Sequence, residues 1–253
     1  MDFFHPFTNE ESVPMLRVIC QTCYPVEDFA HRENVAQKKR AQSFSKPSRH
    51  NPCEGNTMYA CAKRIDGVWF GVACKEQGVI ATSFGNNDSD VLQSLSGSLN
   101  GAKLQSVAPT VFAEKAFAAL SRVYEGKGTS EDLPLNMERL PAYTQRVLRT
   151  VSRIPVGYVA SYGGVAEAAG GGARAVGNAM ASNPFAPLVP CHRVVTSNLG
   201  LGGYGGSLRI KFDFLQREKR GYTEPKSITV ESGVLKVFPV ESVLRNLERH
   251  NFG

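Results

Sequence analysis

The pattern of apolar and polar positions first becomes regular at Met58. Three short runs rich in β-branched and aromatic residues follow, separated by Asp66-Gly67 and Gln77-Gly78, pairs typical of tight turns. They predict an antiparallel meander with strands at 59–64, 68–74 and 78–84. A helix is compatible with 90–99 and is predicted at 111–124, where apolar residues recur at helical spacing before a glycine. Residues 58–137 are therefore predicted to form one small α/β unit.

Short helices dominate the prediction for the next part of the chain. One is predicted at 141–152, where four apolar residues share a helical face. Ser161 is placed to cap a second helix at 162–169. A turn of three glycines then leads into a third helix at 173–182. Two helices joined by a short glycine turn form the helix-turn-helix arrangement, which predicts a mostly helical unit over 138–222.

The helix predicted at 173–182 has an unusual composition, because it consists mostly of alanine and glycine with Arg174 at its start. Such small side chains present a smooth surface. Either another helix or the groove of a nucleic acid could approach it closely. This segment taken alone leaves both interpretations open.

Glycines also dominate the stretch from Thr196 to Gly206, which precedes an amphipathic helix predicted at 208–220. This stretch lacks the spacing of a phosphate-binding loop. Its glycines would instead let the backbone approach a ligand, with Tyr204 as an aromatic wall. The extension 223–253 is predicted to contain a hairpin at 228–238, turning at Ser232-Gly233, and a helix at 240–249. The sequence assigns this extension no role.

Residues 1–57 lack a regular apolar pattern and are rich in polar and basic residues, which predicts a disordered or loosely attached extension. Cys20 and Cys23 form a close pair that could bind zinc together with Cys53 and Cys61. The last two are not closely spaced, however, and unrelated thiols are the simpler interpretation.

Composition narrows the class of protein. An apolar fraction of 42% and a charged fraction of 21% are typical of a globular chain, and no apolar run has the length of a membrane span. No secretory leader is visible, so we expect thiols rather than disulfides and a cytoplasmic or, in a eukaryote, nuclear location. The net charge of +6 permits a nucleic-acid partner without demonstrating one.

The candidate chemistry lies at Pro190-Cys191-His192-Arg193, which follows Pro187 and has apolar residues on both sides. A cysteine in such a segment is expected to be at least partly buried. A single buried cysteine more often serves packing than chemistry. Here chemistry is favoured instead, because a histidine is adjacent and the segments on both sides make sense together with the cysteine.

A series of short segments occurs in a definite order: Ile154-Pro155, Ser161-Tyr162, Arg174 to Gly177, Asn183-Pro184, Pro190 to Val194, Gly203-Tyr204, Lys211, Leu215 and Glu218. Taken together, these segments resemble the O6-alkylguanine-DNA alkyltransferases, strongly over 140–222 and weakly over 58–135. The resemblance implies an α+β fold, in which a ribonuclease-H-like sheet domain precedes a helical, winged-helix-like domain.

The resemblance also implies an irreversible transfer of the alkyl group to Cys191, so that each molecule acts once. His192 would remove the thiol proton through a water, Glu218 would hold the imidazole, and Tyr162 would serve the departing guanine. The expected substrate-binding residues are Asn183, Val194, Gly202, Tyr204 and Gly205. The Gly205 N–H would bond the reacting oxygen, and the Val194 and Cys191 carbonyls would bond the exocyclic amine.

The partner implied by the resemblance is duplex DNA that contains O6-alkylguanine; acceptance of O4-alkylthymine is left open. The base would be flipped out, with Arg174 entering the vacated space and the helix lying in the minor groove. The expected DNA-binding residues are Ala173, Arg174, Ala175, Gly177 and Asn178. We expect a monomer without cofactor, metal or membrane contact.

Three departures from the family pattern bear on these expectations. Gly205 stands where serine is common, Ala186 replaces one proline of the pocket wall, and no histidine accompanies Cys74, so no structural zinc is expected.

Three other classes of protein share part of this pattern. Lesion-binding relatives carry tryptophan in place of Cys191. A regulator with a zinc module would need a longer, more regular segment around Cys20 and Cys23. A hydrolytic cysteine enzyme would need its base to reach the cysteine directly.

Overall fold

The computed structural model describes residues 58–75, 78–101, 104–106, 110–129, 133–205 and 207–249. The predicted N-terminal extension, with Cys20, Cys23 and Cys53, lies outside the described residues. Within these ranges, no helix combines the length and the apolar character needed to cross a bilayer.

The first sheet is the predicted meander with one further strand. Strands β1 (Tyr59–Ile65), β2 (Val68–Lys75) and β3 (Gly78–Gly85) pair antiparallel, and β4 (Gln105–Ser106), which the pattern did not predict, pairs parallel with β1. Asp66 and Gly67 both have positive φ, as a two-residue hairpin turn requires.

One helix covers each face of this sheet. Helix α1 (Asp88–Ser98) packs closely on one face of β2, where alternate positions carry small residues. A side chain at Gly71 would not fit there, because its Cβ would lie 2.4 Å from Val91 Cγ1. Helix α2 (Val111–Tyr124) packs on the opposite face, where Phe70 is fully buried. Successive side chains of a strand point to opposite faces of the sheet, so neighbouring residues of β2 contact different helices.

Further helices follow in the chain after residue 141. They are α3 (Ala142–Ser152), α4 (Tyr162–Ala169), α5 (Ala173–Ala181), α6 (Leu208–Arg217) and α7 (Val240–Arg249). Helix α4 begins where predicted, with Ser161 Oγ accepting the Gly164 N–H at 3.0 Å. The glycine turn separates α4 from α5, giving the predicted helix-turn-helix. The predicted α+β class is confirmed.

A second sheet has the strand order β6-β5-β8-β7. Its strands are β5 (Tyr158–Ser161), β6 (Val194–Val195), β7 (Lys226–Val230) and β8 (Gly233–Pro239). The hairpin β7–β8 forms as predicted, although its turn is Glu231-Ser232, because Gly233 pairs with Val230. Strand β8 pairs antiparallel with β5, which the pattern did not predict. Strand β8, from the predicted extension 223–253, therefore packs against β5 of the unit predicted at 138–222.

Candidate active site

Cys191 begins a short 3₁₀ turn, Cys191–Arg193, at the end of a loop that follows α5. Asn183 holds this loop in shape: its Nδ2 donates to the Val189 carbonyl at 3.1 Å, and its Oδ1 accepts the Phe185 N–H at 3.0 Å. The Cys191 N–H also donates to the Val189 carbonyl, at 2.8 Å. One side chain thus connects the end of α5 to the turn that carries the thiol.

The first sheet holds the same loop from the other side. The Thr82 N–H donates to the Pro184 carbonyl at 2.7 Å, and Thr82 Oγ1 donates to the Ala186 carbonyl at 2.8 Å. Thr82 was not among the predicted site residues. Its signal in the sequence is weak: Thr82 and Ser83 are the two hydroxyl residues of a mostly apolar strand, and a buried hydroxyl needs a partner.

Behind Cys191 lies a charge cluster formed by His192, Arg193 and Glu218. His192 Nε2 is 2.9 Å from Glu218 Oε1, and the imidazole stacks on Phe214 with ring centroids 4.8 Å apart. Arg193 donates hydrogen bonds to the same carboxylate through Nε and a terminal nitrogen, at 2.8 to 3.0 Å. The other terminal nitrogen of Arg193 donates to the Ile154 carbonyl at 2.7 Å. His192 and Glu218 have no exposed surface.

The pKa values in this cluster follow from its geometry. Burial alone would raise the pKa of Glu218, but the charge that His192 acquires in acid, the charge of Arg193 and the hydrogen bonds of both outweigh it and lower the pKa to about 2. Burial lowers the pKa of His192, and Glu218 opposes that shift without reversing it. Glu218 is therefore ionised and His192 neutral near pH 7. Among the described residues, His192 Nδ1 has no hydrogen-bond partner.

Lys211 is a second buried cation beside the thiol. Its ammonium group donates to the carbonyls of Val194 and Leu201 at 2.6 and 2.5 Å, and its side chain has no exposed surface. Burial lowers the pKa of Lys211 to about 8, while the charge that Cys191 can acquire raises it. The sequence predicted no distinct role for this lysine, because an amphipathic helix usually carries lysine on its exposed face.

Two tyrosines flank the thiol. Burial raises the pKa of Tyr162 and, more strongly, that of Tyr204, and the proximity of Cys191 adds to both shifts. The Tyr162 hydroxyl donates to the Gly203 carbonyl at 3.3 Å. Burial also raises the pKa of Cys191, whereas the nearby polar groups of Asn183 and Tyr204 and the charge of Lys211 lower it. The site therefore keeps the thiol protonated at rest but has groups that favour a thiolate.

A cleft of about 850 Å³ opens onto Cys191, which is itself only 7% exposed. Side chains from β3, α1, α5 and the glycine-rich loop line it. Of the predicted site residues, the cleft brings together Tyr162, Ala173, Arg174, Gly177, Asn183, Cys191, Tyr204 and Gly205. The thiol and the helix-turn-helix thus share one open surface.

Six predicted residues do not line this cleft. His192 and Glu218 lie behind the thiol. The Val194 carbonyl faces Lys211, although a carbonyl can accept a second hydrogen bond. Gly202 has positive φ, and a Cβ there would lie 3.1 Å from the Tyr162 ring. Ala175 and Asn178 are half-buried and exposed positions of α5 that do not border the cleft.

Cys61 and Cys74 are separate buried thiols in β1 and β2. Burial raises the pKa of Cys61 to about 11. Among the described residues, no group of three or more histidine, cysteine or acidic side chains is placed to hold a metal ion.

Comparison with known proteins adds an independent line of evidence. Residues 142–220 match the family model described as 6-O-methylguanine DNA methyltransferase, DNA binding domain. The fold resembles O6-methylguanine-DNA methyltransferase from Pyrococcus kodakaraensis, with a TM-score of 0.53 and 27% identity over 64% of this chain and 99% of that one. It also resembles Mycobacterium tuberculosis OGT in complex with DNA, with a TM-score of 0.53 and 26% identity over 64% and 92% of the two chains.

Curated relatives agree with the structural likeness. The chain is 39% identical to a methylated-DNA–protein-cysteine methyltransferase of Metallosphaera sedula over 103 residues, which are 40% of this chain and 65%, just under two thirds, of that relative. It is 41% identical to the protein of the same name from Mycolicibacterium paratuberculosis over 124 residues, which are 48% of this chain and 73% of that relative. The chain therefore belongs to the methylated-DNA–protein-cysteine methyltransferase family.

Proposed function

We propose that this protein repairs duplex DNA by transferring the alkyl group of O6-alkylguanine irreversibly to its own Cys191. The observation that carries the proposal is the position of Cys191. Its thiol lies at the floor of an open cleft, next to the fully buried pair His192 and Glu218. The same cleft reaches Arg174 at the start of α5, so one surface could hold both the lesion and its duplex.

His192 acts as the base through a water rather than by direct contact. Its Nε2 faces Glu218, and its Nδ1 makes no hydrogen bond to Cys191 within the described part of the chain. Glu218 fixes the ring, as the orienting group does in other cysteine sites. Asn183, Tyr204 and Lys211 stabilise the thiolate once the proton has left.

The thiolate then attacks the alkyl carbon. A sulfur–carbon bond forms as the carbon–oxygen bond to guanine breaks, and guanine leaves with the electron pair. Tyr162 supplies a proton or hydrogen bond to a ring nitrogen of that leaving group. The net result moves one proton from Cys191 to guanine. Because a thioether does not hydrolyse, the protein is consumed in one reaction.

The base must first leave the duplex, because its O6 atom is out of reach within the stack. Arg174 is exposed at the N-terminal end of α5 and fills the space that the base vacates. Ala173, Ala175 and Gly177 form a surface of small residues that can approach the minor groove closely, with Asn178 beside them. Gly205 borders the cleft, and in this proposal its N–H bonds the reacting oxygen.

The test measures the repair of the DNA. A duplex oligonucleotide with one O6-methylguanine is incubated with a slight excess of protein, and regenerated guanine is measured after digestion of the DNA. Wild type should restore guanine, and Cys191→Ala should leave the lesion intact while still binding it. Binding by wild type without restored guanine would overturn the proposal in favour of a lesion-binding protein.

A further inference from the structure

Helix α7 and strand β8 lie outside the residues that match the family model, yet they contact the backbone on both sides of Glu218. Glu241 Oε1, in the first turn of α7, accepts the N–H of Arg220 at 2.7 Å and the N–H of Gly221. These two amides follow Glu218 by two and three residues. One carboxylate thus closes the turn that begins where α6 ends.

The other side of Glu218 is held through Gly157. The Gly157 N–H donates to Glu218 Oε2 at 3.4 Å, and the Gly157 carbonyl accepts the N–H of Val240 at 2.9 Å. Pairing of Pro239 with Tyr158 continues this contact into the second sheet. The first residues of α7 therefore adjoin both segments that surround the Glu218 carboxylate.

Helix α7 is itself firmly packed, so it can hold the backbone that it contacts in one position. Val240, Val243, Leu244 and Leu247 are buried in one apolar cluster with Leu215 of α6, three residues before Glu218. Burial of four such side chains makes detachment of this helix costly.

We propose that Glu241 is a positioning residue for the alkyl transfer: it holds the turn after Glu218 and thereby fixes the carboxylate that orients His192. This inference rests on the proposed function. Glu241 touches neither the thiol nor the cleft, so its effect passes through Glu218. A small displacement of an orienting group can slow a reaction strongly, because the base must meet its proton in a narrow geometry.

Free benzylguanine tests this role without requiring DNA binding. Benzyl transfer is followed at saturating and subsaturating probe for wild type, E241A, E241Q and E248A, well below the melting temperature of each variant. Glu248 is an exposed acid two turns along the same helix and serves as the matched control. E241A should lower the maximal rate constant roughly ten- to hundredfold with little change in the half-saturating concentration.

The other variants separate positioning from general stabilisation. E241Q keeps an oxygen acceptor and should retain at least about a third of the wild-type rate, since neutral acceptors bind roughly half as strongly as charged ones. E248A should match wild type. If E241A does not fold, E241D, which keeps the charge but has a shorter reach, should show the same loss of maximal rate.

An unchanged maximal rate in folded E241A would overturn the inference, as would E241Q as slow as E241A. Failure of wild type to accept the benzyl group and to restore guanine in a methylated duplex would overturn the proposed function and this inference together; if wild type repairs the duplex without accepting benzyl, the same variants are compared by the rate of guanine restoration. Transfer by wild type at the same rate as E241A would overturn the inference alone.

Discussion

His192 Nε2 lies 2.9 Å from Glu218 Oε1, and neither side chain has any exposed surface. Arg193 shares that carboxylate through two nitrogens, so its positive charge already balances Glu218. Glu218 can therefore orient the imidazole without forcing it to become protonated. This division of roles leaves a neutral ring whose Nδ1 can accept a proton at neutral pH.

Replacing Glu218 by glutamine should both slow alkyl transfer and destabilise the protein. The Arg193 guanidinium would lose its charged partner in a buried site, a change that costs about 3–5 kcal/mol in comparable cases. Urea unfolding measures this loss, and E224Q, at an exposed position, provides the control. E218Q with the unfolding free energy of wild type would contradict the described ion pair.

The free energy of unfolding should also fall in acid because of Glu218. The pKa of Glu218 is lowered from 4.5 to about 2 in the folded protein. Its ionised carboxylate therefore stabilises the folded state fully above about pH 4.5, and this contribution is lost as the pH falls toward 2. The difference in unfolding free energy between wild type and E218Q should therefore shrink between about pH 7 and about pH 3. A constant difference across that range would show that the carboxylate carries no such shift.

Thr82 should matter for the active-site loop although it belongs to the first sheet. T82V keeps the shape and the backbone bond to Pro184 but removes the hydroxyl bond to the Ala186 carbonyl. We expect a loss of about 1 kcal/mol in stability together with slower benzyl transfer. T229V, at an exposed position of β7, should change neither quantity. An unaltered melting temperature and transfer rate in T82V would show that the hydroxyl bond to the Ala186 carbonyl does not hold the active-site loop.

Arg174 should contribute to reaction with duplex DNA and not to the chemistry. R174A should repair a duplex lesion much more slowly than wild type, while benzyl transfer from the free base stays near the wild-type rate. The ratio of the two rate constants is the measurement. An equal loss on both substrates would remove Arg174 from base flipping.

Local patterns predicted the elements whose contacts are local. The hairpin at Asp66-Gly67, the cap at Ser161 and the two helices around the glycine turn all follow from nearby residues. Strands β5 and β6 were missed because they have four and two residues, too few for a period to show. The pairing of β8 with β5 joins residues about eighty positions apart, and no local pattern encodes it.

The residues of the site also differ in how far the sequence could predict them. Resemblance identified Cys191, Tyr162 and Arg174, which the structure brings to one cleft. Thr82, Lys211 and Glu241 received no role from the sequence, because each acts on backbone groups of a distant segment. Which carbonyl or amide a polar side chain meets is set by tertiary packing, and a one-dimensional pattern does not contain it.

The most direct test of irreversible transfer to Cys191 is the mass of the protein after reaction. Wild type is mixed with increasing amounts of duplex containing O6-methylguanine, and the intact protein and its peptides are weighed. We predict one added methyl group per molecule, on the peptide that contains Cys191, with no further repair once every molecule is modified. Continued repair beyond one lesion per protein, or a methyl group on any other residue, would contradict the account.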